Sequence, residues 1–361
     1  MAVLERIDAA TTDHPDRWMD ILHEVGVYDF YHLPAYQRLS EKRIGGRAIL
    51  PIFRYDGYSM AFPLLIRDIV IPGVKSGNYR DAACVPGLTG PVASHDPMPE
   101  RARHDLTRQF QEFLKRNRLV SVYSRLHFLF GQEAFLSGCG ETIEEGIEIT
   151  LDLTVSPEEH FAGYRRTHRK NLERLWSMGF VCEEAGTECL DEFLRVYSAT
   201  MNRVGAPQIY CSDKSYFKRL MCDMAECSHL FVCRDGKAIA CAGIAMKCND
   251  HIHAYRTGIS DEYLELAVSK LLYHEQWMWG HSIGARVFHF GGGVDGKRDS
   301  LWYFKMGFGG QEHAWNSWRY IVNQEVYADL CSQAFARAGR MPNDDYFPEY
   351  RSPSLGLGQE V

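Results

Sequence analysis

The chain of 361 residues has no charge-free apolar run approaching the roughly 20 residues that a membrane-spanning helix requires. Its N-terminal segment also lacks the apolar core and the small-residue cleavage site of a signal peptide. The composition, 45% hydrophobic and 24% charged, is that of a soluble globular protein long enough for two ordinary domains. We therefore expect a cytoplasmic protein.

The sequence contains 11 cysteines but no C-x-x-C pair, and the closest two are Cys222 and Cys227. Cysteines scattered in this way through a long chain match neither a disulfide framework nor a zinc-binding pattern. We expect reduced thiols that pack as small apolar residues, and no metal site.

A nucleotide-binding P-loop is also missing, although one stretch comes close to it. Residues Gly291 to Lys297 read G-x-x-x-x-G-K, but Arg298 follows where the motif needs Ser or Thr to hold Mg²⁺. The chain then continues without the helical period of a helix that would receive the phosphates. The stretch is not predicted to bind a nucleoside triphosphate.

The formal net charge of −7 argues against a basic protein that coats nucleic acid. One local segment is basic in spite of the negative net charge, because Tyr164 to Arg174 holds five basic residues and the single acid Glu173. Such a run is either a solvated helix face or a phosphate-binding surface, and the sequence leaves both open. The basic residues at its centre are Arg165, Arg166, Arg169 and Lys170.

Hydrophobic periodicity in the second half predicts the order β-α-α-β-β-β-α-β-short helix-β, which is that of the GNAT acyltransferase fold. The first helix is predicted to begin after the N-cap Ser156, with Pro157 at its first position, and to end at Gly179. The pairs Asp235-Gly236 and Asn249-Asp250 predict turns between the central strands.

The first half repeats this pattern more faintly, with a hairpin predicted at Asp56-Gly57. We therefore expect an α/β (α+β) chain of two tandem GNAT-like domains, each a mixed, mostly antiparallel sheet flanked by helices. The expected domains are residues 1–150 and 151–321, with the main site in the second. A helix at about 322–340 is expected to pack back on the first domain, and residues 341–361 are expected to form a mobile tail.

Four segments resemble the motifs of the FemAB-like branch of the GNAT superfamily. They read YRDAACVPGLTGPVAS (79–94), YRRTHRKNLERLWSMGF (164–180), YSATMNR (197–203) and FHFGGGVDGKRDSLWYFKMGF (288–308). Members of that branch transfer an amino acid from aminoacyl-tRNA to an amine, so the resemblance implies an N-acyltransferase that forms an amide bond. The coiled-coil arm of the peptidoglycan enzymes has no counterpart in the sequence, which suits arm-less members that serve secondary metabolism.

The resemblance also implies roles for the last segment. Lys305 takes the position that stabilises the oxyanion of the tetrahedral intermediate, and Phe304 lies beside the reacting group; the alternative is a surface lysine before a turn. His289 is expected to be a buried, hydrogen-bonded histidine rather than a general base. The glycines of this segment would allow backbone to approach the substrate closely, or would only form a sharp turn. They are Gly291, Gly292 and Gly293.

Three further residues match acceptor-binding positions of the branch. Arg203 matches an arginine that contacts the acceptor's phosphate, with an arginine extending from a helix end as the alternative. Tyr255 matches a tyrosine of the acceptor channel, with cross-strand packing as the alternative, and Tyr210 is a weaker candidate for the same channel. The basic patch Arg165, Arg166, Arg169 and Lys170 would bind tRNA phosphates.

No bound cofactor is expected, because aminoacyl-tRNA would be the co-substrate. The CoA-binding signature [RQ]-x-x-G-x-[GA] is absent from GISDEYLELA (258–267), where a GNAT acetyltransferase would carry it. A match at Arg43 to Ala48 precedes a predicted strand instead of a helix, so we interpret it as accidental as a CoA loop. An acyl-CoA-dependent N-acyltransferase, and a non-catalytic tRNA- or peptide-binding module, stay as alternatives.

Overall fold

A computed structural model describes residues 5–8, 15–94, 98–207, 210–211, 213–236 and 238–357. These residues form two compact units. Unit 1 runs to Glu145 and includes the residues from Trp315 onward, and unit 2 is Gly146–Ala314. Strands β8 and β14 contribute residues to both.

The strands are β1 Glu5–Asp8, β2 Arg47–Tyr55, β3 Tyr58–Ala61, β4 Leu64–Asp68, β5 Arg80–Ala83, β6 Val92–Ala93, β7 Leu119–Arg125, β8 Glu141–Asp152, β9 Val181–Ala185, β10 Ser228–Asp235, β11 Ala238–Cys248, β12 His251–Ile259, β13 Val287–His289 and β14 Gln311–Ile321. The helices are α1 Pro15–Val25, α2 Pro34–Ile44, α3 Glu100–Arg116, α4 Pro157–Gly163, α5 Arg166–Ser177, α6 Leu190–Arg203, α7 Lys214–Asp223, α8 Ser269–Ser282, α9 Ser300–Met306 and α10 Gln324–Ala338.

The sheet of unit 1 has the strand order β6-β3-β2-β4-β5-β7-β14, with β1 paired to β2. Neighbours are antiparallel except β5 and β7, which run parallel. The predicted hairpin between β2 and β3 is present, and Asp56 and Gly57 both have the positive φ that such a two-residue turn needs. Amphipathic α3 covers this sheet, burying Leu106, Phe110 and Phe113.

The C-terminal part of unit 1 corrects one prediction. Residues 341–357 do not form a mobile tail, since Tyr350 and Arg351 are buried. The Arg351 guanidinium donates to the buried carboxylate of Asp81 and to the backbone oxygen of Asp68. Helix α10 packs in the same unit, in an apolar cluster with Tyr350 and Val120 of β7. A buried ion pair and apolar packing therefore order a segment whose Pro/Gly content predicted mobility; residues 358–361 of the tail lie outside the described part.

The sheet of unit 2 has the order β8-β13-β12-β11-β10-β9, with β12 and β13 parallel and the other neighbours antiparallel. Buried residues of α5 and α8 pack on it together with Phe288, Phe290 and Phe308. The predicted Asn249-Asp250 turn is confirmed, with Asn249 at φ 50°. The side chain of Asp213 caps α7 by accepting from the backbone N–H of Tyr216.

Two elements of unit 2 differ from the sequence prediction. The helix expected from Pro157 to Gly179 is divided into α4 and α5, because Tyr164 and Arg165 between them have extended backbone. The predicted cap at its start is present, with the Ser156 side chain accepting from the backbone of Glu159. The edge strand β9 was not predicted at all, since its side chains are mostly exposed and show no alternation.

The predicted fold class is confirmed: each unit is a mixed, mostly antiparallel sheet flanked by helices. The longest helix of the described residues is α3 with 17 residues, so this part of the chain has no coiled-coil arm. None of the described helices combines the length and the apolar character needed to cross a bilayer.

Candidate active site

The centre of the candidate site is the loop between β13 and α9 in unit 2. Asp299 organises it, since one carboxylate oxygen accepts from the backbone of Trp302 at 2.9 Å and the other from that of Val294 at 3.0 Å. These hydrogen bonds lower the pKa of the Asp299 carboxyl, the one from Trp302 most strongly. A single side chain thus starts α9 and fixes the loop before it.

The three glycines are required by close backbone approach. A Cβ on Gly292 would lie 2.0 Å from the carbonyl oxygen of Ile147, and one on Gly293 would lie 2.0 Å from that of Lys297. Gly291 has φ 73°, which L side chains rarely adopt. Gly292 therefore lets the loop lie against β8 without a side chain between the two backbones, and Gly293 lets the loop fold closely on itself.

The lysine of the P-loop-like stretch has no phosphate-binding geometry. Lys297 is exposed and lies 3.6 Å from the carboxylate of Asp295, while Arg298 pairs with Glu312 at 2.8 Å. A short turn precedes Lys297, and the next helix begins only at Ser300. This agrees with the prediction that the stretch is no P-loop.

Lys305, in the last turn of α9, places its ammonium on the glycine loop. Nζ donates to the carbonyl oxygen of Gly292 at 2.7 Å and lies 5.6 Å from the centre of the Phe290 ring. Burial lowers the pKa of Lys305 to about 8, although the carboxylates of Glu148 and Asp299 act in the opposite direction. The group therefore keeps most of its positive charge at neutral pH and loses it in mildly alkaline solution.

Phe304 lies beside a buried histidine and a buried lysine. Its backbone oxygen accepts from His168 Nε2 at 2.9 Å, and its ring centre lies 6.0 Å from Nζ of Lys270. Lys270 is buried in the first turn of α8 and donates to Asn171 at 2.7 Å. Burial, and then the nearby Arg165, lower the pKa of Lys270. Burial also lowers the pKa of His168, to about 4. No role was predicted for Lys270 from the sequence. The signal that could have identified it is a lysine within the apolar run AVSKLLY, which is typical of a buried cation.

Tyr255 and Tyr210 are brought together by a residue that the sequence analysis also missed. A β-bulge on β12 makes Tyr255 the extra residue opposite β11. Its hydroxyl lies 2.5 Å from that of Tyr216. The guanidinium of Arg256 lies 4.0 Å from the centre of the Tyr255 ring and 5.4 Å from that of Tyr210. Tyr255 and Arg256 of β12, Tyr216 of α7 and Tyr210 thus form an aromatic and cationic group, separate from the contacts described for Lys305.

Arg203 and His289 lie in other surroundings. Arg203, at the end of α6, forms an ion pair with the exposed Asp261 and donates to Thr200 Oγ1 at 3.2 Å. His289 is buried, its Nε2 lies 2.7 Å from Nδ1 of His251, and its ring stacks on that of His253. Neither has a recorded contact with Lys305 among the described residues, so the structure does not join them to the glycine loop.

The basic patch divides into two kinds of residue. Arg165 donates to the backbone oxygen of Tyr303 at 2.9 Å and lies over that ring at 3.7 Å, and Arg169 donates to that of Ala162 at 2.6 Å. Arg166 and Lys170 are exposed. The first two therefore hold local structure, and the second two are available to a ligand.

Comparisons with known proteins agree with this architecture. Residues 162–305 match the model of the acetyltransferase (GNAT) domain family, and Lys305 is the last residue of the match. No curated protein sequence matches the chain.

Several solved structures share the fold at low sequence identity. FemX is 15% identical with a TM-score of 0.70, covering 90% of this chain and 99% of its own. L-PGS from Bacillus licheniformis is 15% identical with a TM-score of 0.55, covering 86% of this chain and 92% of its own. A tandem GNAT protein from the clavulanic acid biosynthesis pathway is 13% identical with a TM-score of 0.52, covering 90% and 99%.

Residues 162–305 therefore match an acetyltransferase (GNAT) domain, and the chain shares its fold with FemX and with a tandem GNAT protein.

Proposed function

We propose that the protein transfers an aminoacyl group from aminoacyl-tRNA to an amine of a small-molecule or peptide-like acceptor, forming an amide. We expect this in cell-wall precursor synthesis or secondary metabolism. The observation that carries the proposal is the ammonium of Lys305, held by Gly292 O on a loop of closely packed glycine backbone. A positive charge fixed in this way can stabilise the negative charge that develops on a substrate carbonyl oxygen.

The chemistry needs orientation and charge stabilisation, because the aminoacyl ester is already activated. The neutral acceptor amine attacks the ester carbonyl, and negative charge develops on the carbonyl oxygen. Of the three N–H groups of Lys305, one donates to Gly292 among the described residues, which leaves two for the oxyanion. When the intermediate collapses, the ribose oxygen of the tRNA leaves and takes a proton, and the attacking nitrogen loses one.

The same unit offers positive charge for a tRNA 3′ end. Lys270 beside Phe304 and the exposed Arg166 and Lys170 on α5 supply cations without a recorded carboxylate partner among the described residues. Phosphate contacts of this kind make binding depend on salt, because neutralised phosphates release counterions.

The decisive experiment incubates the protein with a total aminoacyl-tRNA pool and candidate amines, with and without RNase, and detects the amide by mass spectrometry. We expect product that RNase abolishes. Lys305→Ala should lower kcat by about 10²–10³-fold, as loss of one oxyanion donor does elsewhere. The matched control is Lys218→Ala, which removes an exposed lysine on α7 and should leave turnover unchanged.

The same assay separates the alternatives. Product that survives RNase and requires an acyl-CoA would instead assign a CoA-dependent acyltransferase, which the description of the matching domain as an acetyltransferase favours. Binding of tRNA that Lys305→Ala leaves unchanged, with no product from any amine, would assign a non-catalytic binding module.

The basic patch is tested by its salt dependence. Replacing Arg166 and Lys170 together by glutamine should weaken tRNA binding and reduce the slope of log affinity against log salt by about 2. A double replacement of Arg101 and Arg116, both exposed on α3 of unit 1, serves as the control. Equal slopes for the two double variants would remove the patch from the proposal.

A further inference from the structure

Unit 1 contains a cavity of about 600 Å³ whose lining is strongly basic. It lies where β2 begins, where β4 ends and where β5 begins, which is the N-terminal end of the parallel pair β5 and β7. Its volume falls within the range of small-molecule sites. The cationic residues of its lining are Arg6, Arg47, Arg67, Arg80 and Arg351.

The arginines outnumber the acids that neutralise them. Arg67 Nε donates to one oxygen of Asp81 at 2.8 Å, and Arg351 Nε donates to the other at 2.5 Å. A single carboxylate thus holds two guanidinium groups of the lining. Asp81 is fully buried, so it holds these two arginines at fixed positions in the lining of the cavity.

Arg80 adds a charge that is oriented but not neutralised. Its recorded side-chain hydrogen bond, among the described residues, goes from Nη2 to the carbonyl oxygen of Asn117 at 3.0 Å. Asp68 is the acid of the lining, and it is exposed. Arg47 pairs with Asp8, which leaves the cavity with positive charge in excess.

At one wall of the cavity, two glycines leave the backbone without side chains. Gly45 and Gly46 line the cavity with φ of 71° and 97°, and a Cβ on Gly46 would lie 2.8 Å from Cγ of Arg67 and from the carbonyl oxygen of Ile66. These are the glycines of the stretch Arg43 to Ala48, which is no CoA loop because β2 follows it. Gly46 thus makes room for the side chain of Arg67.

We propose that this cavity binds a soluble small molecule through a pyrophosphate group or two neighbouring phosphates. Guanidinium groups bind phosphate oxygens in pairs, and several of them fixed around one space match an anion with several charges. Ile44 and Phe113 line the same space and offer apolar contact to the rest of the ligand. The proposal concerns unit 1 and does not depend on the acyl transfer assigned to unit 2.

The test is calorimetric titration of the full chain with inorganic pyrophosphate, and with inorganic phosphate for comparison. We expect pyrophosphate to bind more tightly than phosphate, and Arg80→Gln to weaken it about tenfold, the effect of losing one charge-assisted contact. The matched control is Arg116→Gln, an exposed arginine on α3 outside the cavity, which should bind as the wild type does.

Two further variants keep the result interpretable. Arg6→Gln changes an exposed side chain of the lining, so it should weaken binding even if Arg80→Gln perturbs folding. Lys305→Ala should bind pyrophosphate normally, which separates this site from the proposed acyl transfer. No pyrophosphate binding, or equal loss in Arg116→Gln and Arg80→Gln, would overturn the proposal. Binding of tRNA or of anionic vesicles that requires Arg80, in a protein that does not bind pyrophosphate, would also overturn it.

Discussion

Lys305 is expected to make the stability of the protein rise with pH in alkaline solution. Its folded pKa is about 8, against an ordinary value of 10.5. Between these values the unfolded chain holds a proton that the folded chain has released, so the free energy of unfolding increases with pH. Below pH 8 the lysine is charged in both states, and the full cost of burying that charge is present.

The size of this effect follows from the pKa difference. At about 1.4 kcal/mol per pH unit, the shift from 10.5 to about 8 corresponds to at most about 3 kcal/mol. The side chain is only partly buried, and solvent screening reduces the effect, so we expect about 1–2 kcal/mol. Lys305→Met removes the titrating group and therefore removes this pH dependence.

The assay is urea unfolding of the wild type and Lys305→Met at pH 7 and pH 10. The free energy of unfolding of the wild type, relative to the variant, should grow by about 1–2 kcal/mol between the two pH values. Lys218→Met, which changes an exposed lysine, should show no such growth. A difference that stays constant, or that shrinks as the pH rises, would refute the buried, charged Lys305.

The same proton should appear in the kinetics. If the charged form stabilises the oxyanion, kcat/KM should fall above about pH 8, where Lys305 becomes neutral. Lys305→Arg keeps its charge throughout this range, so its residual activity should show no such fall. An alkaline limb at the same pH in both proteins would assign that limb to another group.

Two further substitutions test the packing. Gly292→Ala would place a Cβ 2.0 Å from the carbonyl oxygen of Ile147, so it should displace the loop, lower the melting temperature and reduce activity strongly. Asp81→Ala leaves Arg67 and Arg351 buried without their shared carboxylate and should cost about 3–5 kcal/mol in urea unfolding.

Each of these has a matched control in the chain. Gly163→Ala adds a methyl group in α4 with nothing within 4 Å, and should leave stability and activity near the wild-type values. Asp105→Ala breaks a surface ion pair with Arg108, which should change stability far less than Asp81→Ala does. Equal effects in a variant and its control would contradict the packing described for Gly292 or the ion pairs described for Asp81.

The features that the sequence predicted well are local ones. The turn at Asp56-Gly57, the cap at Ser156 and the short helix that carries Lys305 depend on residues a few positions apart. Their hydrogen bonds and backbone angles follow from residue type, so a single sequence is enough to place them.

The features that the sequence missed depend on distant residues. The tail is ordered by Arg351 donating to Asp81, and Lys270 is fixed by Asn171, contacts that no local pattern announces. The roles assigned to Arg203 and Tyr255 came from resemblance alone; the structure places each of them in contacts separate from those of Lys305, so their roles stay predictions.

The break between α4 and α5 ties the position of Lys305 to helix α5. Helix α9 has 7 residues, too few to be stable by itself. At the start of α5, the backbone N–H of Arg165 donates to Gly307 O, its guanidinium donates to Tyr303 O, and His168 donates to Phe304 O. The N-terminal end of α5 thus donates hydrogen bonds to three carbonyls of the Lys305 segment. A displacement of α5, for example when a ligand binds it, would therefore also move the Lys305 ammonium.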